Sequence, residues 1–599
     1  MCGIAGVMSK NGDPPRQAVL DRLAGALAHR GPDGHGFYRC DGVGLVHTRL
    51  AIIDLVTGDQ PLYARRSDDA RPTALIANGE IYNDLDLRAK LGQRRFATGS
   101  DCESPLHLYL HHGETFADHL RGMFAIALHD PGRGPQDGGR LVLARDPFGI
   151  KPLYVAETPT AFAFASEPQA LIAAGIVPAA LNAAARDELL QLQFTTGRST
   201  AFIGVERLLP GETLVIEQGR IVRRHVRQAL PSGPPCDTTE SAALAALDAI
   251  LIDSVGLHQR SDAPYGMFLS GGIDSSVVLT VMGQLNERPV VALTAGFASN
   301  AGVHDERTEA RALAQAVGAE HVEVAVGEQD FWRLMPLLAT CMDDPAADYA
   351  TLPSFQLAAT ARQMGIKVVL TGEGGDEMFA GYGRYRRAMR PRLLGGRAMR
   401  THGAFDGMRV LRQEARWRGG LRHAQVAADH PERTRLQVAQ AVDCAEWLPN
   451  DLLLKLDRCL MAHGIEGRVP FVDPVTAAFA FRLPDRLKVG GGLGKLLLRR
   501  WLERNQPNAR PFARKRGFTV PVAAWIAGRA RDLAPLLAAQ DSVREACHPG
   551  SVERLLDAAA NGNARAGRAA WNLLFYALWH RRHIAGLQPE ADVFATLAP

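Results

Sequence analysis

The sequence lacks several features that would assign it to a specialised class of protein. Its 599 residues contain no uninterrupted run of about 18 apolar residues, so we expect no membrane-spanning helix. Residues 1–10 have no basic stretch followed by an apolar core, so we expect no signal peptide. Eight scattered cysteines form no Cys-x-x-Cys pair, which argues against a zinc ribbon and is typical of a reducing compartment. We therefore expect a cytoplasmic protein.

Net charge is also nearly absent. The 68 basic and 64 acidic residues leave a charge of +4, too little for a general nucleic-acid binder, so we expect neither nucleic acid nor a membrane as partner. Segment 384–422 is the exception, with twelve arginines against Asp406 and Glu414. Such a stretch can bind an acidic partner, but we favour a solvated helical surface or a lid. The composition is otherwise globular, with 46% apolar residues.

A proline-rich stretch divides the chain. Residues 230–235 read Leu-Pro-Ser-Gly-Pro-Pro, which predicts a linker at 228–240 between domains at 1–227 and 241–599. Before it, turn residues separate short apolar runs that predict antiparallel strands at 43–46, 73–77, 123–128, 140–144 and 161–165. After it, strands at 265–269, 290–296, 321–326 and 367–370 alternate with helices at 274–284, 307–317 and 353–364. This alternation predicts a parallel, doubly wound sheet, and the pattern beyond about residue 420 is mainly helical.

The first chemical candidate is Cys2, in Met1-Cys2-Gly3-Ile4-Ala5-Gly6. If Met1 is removed, Cys2 carries the free α-amine, which titrates near pH 8 and can act as the base for its own thiol. The alternative is a cysteine that merely follows the initiator. Four further segments occur after it in order: 29–33 (His-Arg-Gly-Pro-Asp), 48–54 around Arg49, 78–83 (Asn-Gly-Glu-Ile-Tyr-Asn) and 99–101 (Gly-Ser-Asp).

Together these segments resemble the class II glutamine amidotransferase domain over about residues 1–220. The resemblance implies an N-terminal-nucleophile (Ntn) hydrolase fold, an αββα sandwich, in which Cys2 attacks the side-chain amide of glutamine. It implies an oxyanion hole made by the Asn78 side chain and the Gly79 N–H. Taken singly, Arg49 would be a salt-bridging strand residue and Asn78-Gly79 a β-turn. The resemblance instead gives glutamine binding to Arg49, Asn78, Glu80 and Asp101, with Arg49 on the α-carboxylate and the two acids on the α-ammonium.

A second candidate site follows the predicted strand at 265–269. Ser270-Gly271-Gly272-Ile273-Asp274-Ser275-Ser276 opens a helix, and backbone N–H groups at such a terminus bind anions. Asp274 could ligate Mg²⁺, or the loop could be a capped Gly-Gly turn. The segment resembles the PP-loop of ATP pyrophosphatases, which release AMP and pyrophosphate.

A matching acidic loop, 371–377 (Thr-Gly-Glu-Gly-Gly-Asp-Glu), follows the strand at 367–370. Ligands in parallel sheets lie beyond the carboxyl ends of the strands, so both loops are expected to face one nucleotide. Asp274 and Asp376 would then share Mg²⁺.

The C-terminal segments complete a second resemblance. Asp457, Arg458, the run at 467–473, Lys495 and the basic run at 514–521 resemble the synthetase domain of the asparagine synthetase B family. That implies a Rossmann-like parallel α/β domain with a helical C-terminal part, in which Lys495 contacts the α-phosphate and Glu373 is the acid/base. The implied ATP-binding residues are Leu269, Ser270, Gly271, Gly272, Asp274, Ser275, Ser276, Ala295, Thr371, Gly372 and Lys515.

The two resemblances predict an enzyme that hydrolyses glutamine, adenylates a carboxylate with ATP and Mg²⁺, and amidates it with the freed ammonia. The simplest acceptor is aspartate, giving asparagine. Segment 343–349 looks more like that of family members that modify other carboxylates, such as a cell-surface precursor, a peptide or a secondary metabolite. An amide-ring-forming synthetase is less favoured because Cys2 and its pocket are present, and a non-catalytic relative is least favoured. A homodimer is left open.

Overall fold

The computed structural model describes residues 2–66, 71–132, 139–297, 305–390, 393, 396, 399–413, 417–513 and 519–598. In this part of the chain the strands are β1 (Gly3–Ser9), β2 (Gly34–Cys40), β3 (Val43–Arg49), β4 (Leu62–Ala64), β5 (Thr73–Ile81), β6 (Gly122–Asp130), β7 (Arg140–Arg145), β8 (Tyr154–Glu157), β9 (Ala161–Ala165), β10 (Glu206–Arg207), β11 (Glu212–Glu217), β12 (Arg220–Val226), β13 (Tyr265–Phe268), β14 (Val291–Phe297), β15 (Glu320–Val326), β16 (Val368–Leu370) and β17 (Glu466–Arg468).

The α-helices in the same residues are α1 (Gln17–Leu27), α2 (Asp84–Leu91), α3 (Ser104–His112), α4 (Pro168–Ala173), α5 (Ala183–Leu192), α6 (Glu240–Gln259), α7 (Ile273–Leu285), α8 (Arg307–Val317), α9 (Glu328–Cys341), α10 (Thr351–Gln363), α11 (Gly375–Met378), α12 (Gly383–Met389), α13 (Gly419–Ala428), α14 (Arg435–Val442), α15 (Leu453–Met461), α16 (Pro474–Arg482), α17 (Asp485–Lys488), α18 (Leu496–Asn505), α19 (Val522–Gly528), α20 (Ala530–Ala539), α21 (Asp541–Ala546), α22 (Ser551–Ala560), α23 (Ala564–His583) and α24 (Val593–Leu597). A π-helical segment, Asp443–Leu452, runs directly into α15.

Two antiparallel sheets of six strands build the N-terminal half, with strand orders β10-β8-β9-β1-β3-β2 and β12-β11-β7-β6-β5-β4. Their facing sides share one core that contains Ile4, Leu45, Ile76 and Ala125. Helix α1 covers the first sheet and α3 the second. Since both faces of each sheet are covered, most strand residues are apolar and buried on both sides. The αββα sandwich predicted from the sequence is confirmed.

The C-terminal half contains a parallel sheet in the order β15-β14-β13-β16-β17. The predicted alternation of strands and helices is confirmed for β13 to β16. Strand β17 lies within the stretch that the sequence pattern treats as helical, and it pairs with β16 through Glu466, Gly467 and Arg468. The pattern misses it because two charged residues and a glycine carry no period-two apolar signal.

Helix α6 joins the halves after residues 227–239, which contain neither helix nor strand. By length and composition alone it is the one helix of the described residues that could cross a membrane. Here one side of it, which includes Leu244, Leu247 and Leu251, is buried in the core shared by the two halves. That packing places α6 as a core helix.

Candidate active sites

The nucleophile candidate lies where the two antiparallel sheets meet. The Cys2 backbone N–H donates to Asn78 Oδ1 at 2.9 Å, which links the start of β1 to β5. Burial raises the pKa of the Cys2 thiol. Asn78 Nδ2 is buried and has no hydrogen-bond partner among the described residues. Because the Asn78 oxygen is already used, its two amide N–H groups are the donors left for a substrate oxygen.

Gly79 is required beside Asn78 by close packing. A Cβ on Gly79 would lie 2.1 Å from the carbonyl oxygen of Met123 on β6, so no other residue fits without moving a strand. The backbone that carries the expected oxyanion donor is therefore fixed by the pairing of β5 with β6.

Arg49, at the end of β3, already holds a carboxylate. Its Nη1 donates to Asp59 Oδ1 at 2.7 Å. The Arg49 side chain is 10% exposed, whereas that of Asp59 is 81% exposed. A mostly buried guanidinium paired with an exposed carboxylate is the arrangement in which an incoming carboxylate can exchange for the resident one.

The two predicted ammonium-binding acids are buried in the same region. Asp101 Oδ2 accepts from the Ile81 N–H at 2.6 Å, and burial raises the pKa of Asp101 to about 6. Glu80 Oε2 accepts from Arg468 at 2.9 Å, while Glu80 Oε1 has no partner within the described residues. The buried Cys102 thiol faces the charges of Asp101, Cys2 and Glu80, so the structure brings these groups together.

The second candidate site is a cavity of about 360 Å³ at the carboxyl ends of β13 and β16. The predicted residues that line it are Leu269, Ser270, Gly272, Asp274, Ser275, Ala295, Thr371, Gly372, Glu373 and Asp376. Gly271 and Ser276 instead line a neighbouring cavity behind the loop. Lys515 lies outside the described residues. Two separate predicted loops thus form one pocket, as parallel strand ends require.

Lys495 does not line this cavity itself but lies against two carboxylates that do. Its ammonium pairs with both Asp274 and Asp376, and the side chain is 2% exposed. Burial alone would lower the pKa of Lys495, but the two carboxylates outweigh burial and raise it. Lys495 has a φ of 58°, and a Cβ on Gly381 would lie 1.7 Å from Asp376 Oδ1. The lysine and the two aspartates are therefore packed too closely for a side chain at Gly381.

The Asp274–Asp376 pair suits Mg²⁺ chemistry. Asp274 Oδ1 is buried and has no hydrogen-bond partner in the part of the chain that the structure describes. Among those residues no group of three or more metal-binding side chains occurs. Mg²⁺ is commonly held by one or two carboxylates together with substrate phosphates, and this set matches that use.

Lys455 is a cavity residue that sequence reasoning missed. Its Nζ lies 3.0 Å from Asp348 and 3.3 Å from Glu373, and the side chain is 4% exposed. Burial would lower the pKa of Lys455, but the facing carboxylates hold it well above its usual value. Tyr349 and Tyr382 also line the cavity. A lysine within an apolar helix has no motif of its own, so only the fold identifies it.

The residues of segment 343–349 have two different structural roles. Tyr349 lines the cavity, whereas Asp344 accepts from Arg207 and from the Tyr154 hydroxyl of the N-terminal half. Asp343 accepts from the Gln169 N–H of the N-terminal half at 3.1 Å and from Arg458 Nε at 2.8 Å. The first two acids of the segment therefore anchor the halves to each other, and only its end faces the cavity.

A buried ion pair connects the two candidate sites. Both terminal nitrogens of Arg30 donate to Asp457 at 2.8 and 2.9 Å, and Arg30 Nε donates to the Cys2 carbonyl. Asp457 lies on α15, two residues after Lys455. One helix is thus linked to Cys2 through Arg30 and, half a turn away, contacts the carboxylate of Glu373.

A buried thiol with unused amide donors, joined to a parallel sheet whose strand ends form a phosphate-type loop with two carboxylates, defines the class of two-site glutamine-dependent ligases. The asparagine synthase family matches residues 246–581, and the glutamine amidotransferase domain matches residues 1–226. The chain belongs to the asparagine synthase family, and it is a glutamine-hydrolysing ligase of the kind that uses ATP.

Curated relatives match over most of the chain. It is 30% identical to asparagine synthetase [glutamine-hydrolyzing] 1 of Bacillus subtilis, covering 98% of this chain and 97% of the relative. It is 29% identical to asparagine synthetase B of Escherichia coli, covering 88% and 83%. It is 30% identical to asparagine synthetase 2 of Arabidopsis thaliana, covering 86% and 77%.

Proposed function

We propose that the protein transfers the amide nitrogen of glutamine to the side-chain carboxylate of aspartate, forming asparagine, glutamate, AMP and pyrophosphate. The observation that carries the proposal is the connection of the two sites through α15, where Asp457 holds Arg30 and Lys455 holds Glu373. A helix fixed at both sites supports nitrogen transfer between them rather than two independent reactions. The names of the relatives support aspartate as the acceptor.

In the first step, once Met1 is removed, the α-amine of Cys2 takes the thiol proton and the sulfur attacks the amide carbon of glutamine. The developing oxyanion takes the free Asn78 Nδ2–H and the Gly79 N–H, donors that contribute about 2.7–4 kcal/mol each in comparable sites. Arg49 exchanges Asp59 for the α-carboxylate of glutamine, and Glu80 and Asp101 hold its α-ammonium. The Cys2 α-ammonium gives that proton to the leaving nitrogen, ammonia departs, and water hydrolyses the thioester to glutamate and free thiol.

In the second step a carboxylate oxygen of the acceptor attacks the α-phosphorus of ATP and pyrophosphate leaves. Lys495 turns from Asp274 and Asp376 to donate to the α-phosphate oxygens, where negative charge develops. Those two aspartates would hold Mg²⁺, which when bound neutralises phosphate charge. Leu269, directly after β13, and Ala295, within β14, supply apolar walls for the nucleotide.

In the third step ammonia attacks the acyl carbon of the adenylate, and AMP leaves with the C–O bonding electrons. The attacking nitrogen must lose a proton, and the Glu373 carboxylate accepts it. Lys455 holds the Glu373 carboxylate at the cavity wall, because its ammonium is 3.3 Å away. The pair therefore gives the amide-forming step a base held in a fixed position.

The direct test supplies enzyme, MgATP, aspartate and glutamine labelled with ¹⁵N at the amide. We expect ¹⁵N-asparagine, AMP and pyrophosphate in equal amounts by mass spectrometry and ³¹P NMR. Cys2→Ala should make no labelled asparagine from glutamine but should still use ammonium chloride. Glutamate release without asparagine or AMP would contradict aspartate as acceptor and favour another carboxylate.

We further propose a cytoplasmic location and a homodimer. All eight cysteines are free, which suits a reducing compartment. Fractionation of the native cell and multi-angle light scattering of the pure protein test the two statements, and a monomeric mass would contradict the second.

A further inference from the structure

A cluster of buried polar side chains beside the synthetase cavity is not satisfied within the protein. Both carboxyl oxygens of Asp451, a fully buried residue, lack a hydrogen-bond partner among the described residues. The same holds for Nε and Nη2 of Arg400 and for the indole N–H of Trp447. Unpaired buried polar atoms are costly, so folded proteins retain them mainly where a ligand or water completes them.

Arg400 is held flat with its donors open. Its guanidinium carbon lies 3.8 Å from the centre of a Trp447 ring, and the side chain is 16% exposed. One nitrogen lies 3.7 Å from Asp443, which is too long for a hydrogen bond. Stacking fixes the plane of a guanidinium while leaving its N–H edge available, and that edge matches a carboxylate.

Asp451 lies behind side chains that line the cavity. It precedes Lys455 by one helical turn, and the charged groups that face it are Asp348, Lys455, Arg400 and Glu373. Lys455 and Glu373 line the cavity, as does Tyr349, which also faces Asp451. The polar cluster therefore lies behind the cavity wall that Tyr349, Glu373 and Lys455 form, on the side where Glu373 would meet the acyl carbon.

The charged groups around Asp451 differ in whether they already have an ion-pair partner. Lys455 already pairs with Asp348 and Glu373, so it is not available to neutralise Asp451. Asp451 is left as a buried carboxyl that can take a cation, and Arg400 as a buried cation that can take an anion. An acceptor that supplies both an ammonium and a second carboxylate completes the two at once.

We propose that Arg400 and Asp451 form a subsite for an α-amino-acid head group of the acceptor. The Nε and Nη2 edge of Arg400 takes the α-carboxylate, and Asp451 takes the α-ammonium. This inference rests on the proposed function, and it limits the acceptor to carboxylates that also carry a free amino-acid head. It also gives part of the arginine-rich segment 384–422 a role in substrate selection.

The test uses three acceptors that differ by one group: aspartate, succinate, which lacks the amine, and β-alanine, which lacks the α-carboxylate. AMP release by the whole enzyme gives kcat/KM for each. We expect aspartate to exceed both analogues at least 100-fold. Arg400→Gln should lower the value for aspartate at least tenfold and leave that for β-alanine unchanged, whereas Asp451→Asn should leave that for succinate unchanged.

Arg422→Gln, an exposed arginine of the same segment, is the matched control and should change none of these values. The glutaminase rate and the KM for ATP should stay within twofold in all variants, which separates loss of the subsite from loss of folding. Equal losses for all three acceptors in Arg400→Gln, or a wild type that accepts succinate or β-alanine as readily as aspartate, would overturn the subsite.

Failure of the proposed function gives a different result. AMP formed with glutamate, 2-aminoadipate or diaminopimelate but not with aspartate would refute aspartate as the acceptor and support the amino-acid subsite. AMP formed only with acceptors that lack an amino-acid head would overturn the subsite while leaving a glutamine-dependent ligase.

Discussion

The contact between Arg49 and Asp59 predicts that this protein competes with its own substrate. Asp59 presents a carboxylate to Arg49 at 2.7 Å, and glutamine would bring its α-carboxylate to the same guanidinium. Asp59→Asn removes both the resident anion and its repulsion of the incoming one. We therefore expect the variant to bind glutamine more tightly than the wild type.

The size of the expected change in KM follows from the exposure of the Asp59 side chain. The Asp59 side chain is 81% exposed, and ion pairs of this kind contribute about 0.2–1 kcal/mol. Removing that competition should lower the KM for glutamine about 1.4- to 5-fold, with kcat unchanged because Asp59 does not touch the reacting amide. Arg49→Lys should act in the opposite direction and raise KM at least tenfold, since an ammonium lacks the two-nitrogen fork.

Glutamate release at varied glutamine measures these effects without the synthetase reaction. Asp41→Asn is the matched control, because Asp41 forms an exposed pair with Arg71 at the same 2.7 Å distance, on the turn between β2 and β3. Its KM should equal that of the wild type. A KM in Asp59→Asn that is unchanged or higher would refute competition at Arg49.

Three further predictions follow from buried groups. Arg30→Met removes one of the two guanidinium partners of buried Asp457 and leaves it only Arg458, so the urea midpoint should fall by an amount equivalent to about 1.5–3 kcal/mol. Arg30→Met/Asp457→Leu should recover part of that loss, and an unchanged midpoint in the single variant contradicts the pair. The KM for glutamine should rise as pH falls below about 6, because Asp101 takes up a proton near that pH and a neutral acid holds an ammonium poorly. Asp101→Asn should show a high KM with no such rise. An equal rise in this variant would show that another group causes the pH dependence. Lys455→Met should slow asparagine formation with ammonium chloride at least tenfold without changing glutaminase activity, and Lys455→Arg should restore part of the rate.

The positions of the catalytic candidates could be anticipated where a local rule fixes them. Asp274 and Asp376 follow strands that were recognisable as parallel, and parallel strands end at one edge, so their convergence follows from topology. Cys2 and Asn78 carry motifs whose order in the chain is informative. For these residues the sequence contains a short-range signal, either a turn or a strand end.

Contacts that depend on how the halves dock could not be anticipated. Arg30 meets Asp457 across 427 positions, and Glu80 meets Arg468 across 388. Each partner, viewed alone, is an ordinary charged residue, and its burial arises only when both halves are in place. Arg468 lies on β17, a strand that the apolar pattern does not reveal, so its pairing with Glu80 has no sequence signal.

Incubation with MgATP, glutamine and aspartate labelled with ¹⁸O in its side-chain carboxylate tests the central claim most directly. If that carboxylate attacks the α-phosphorus, one labelled oxygen stays on phosphorus when ammonia displaces AMP. We expect AMP that contains one ¹⁸O and unlabelled pyrophosphate. Unlabelled AMP, or ADP together with labelled inorganic phosphate, would contradict adenylation at the loop of Ser270–Ser276.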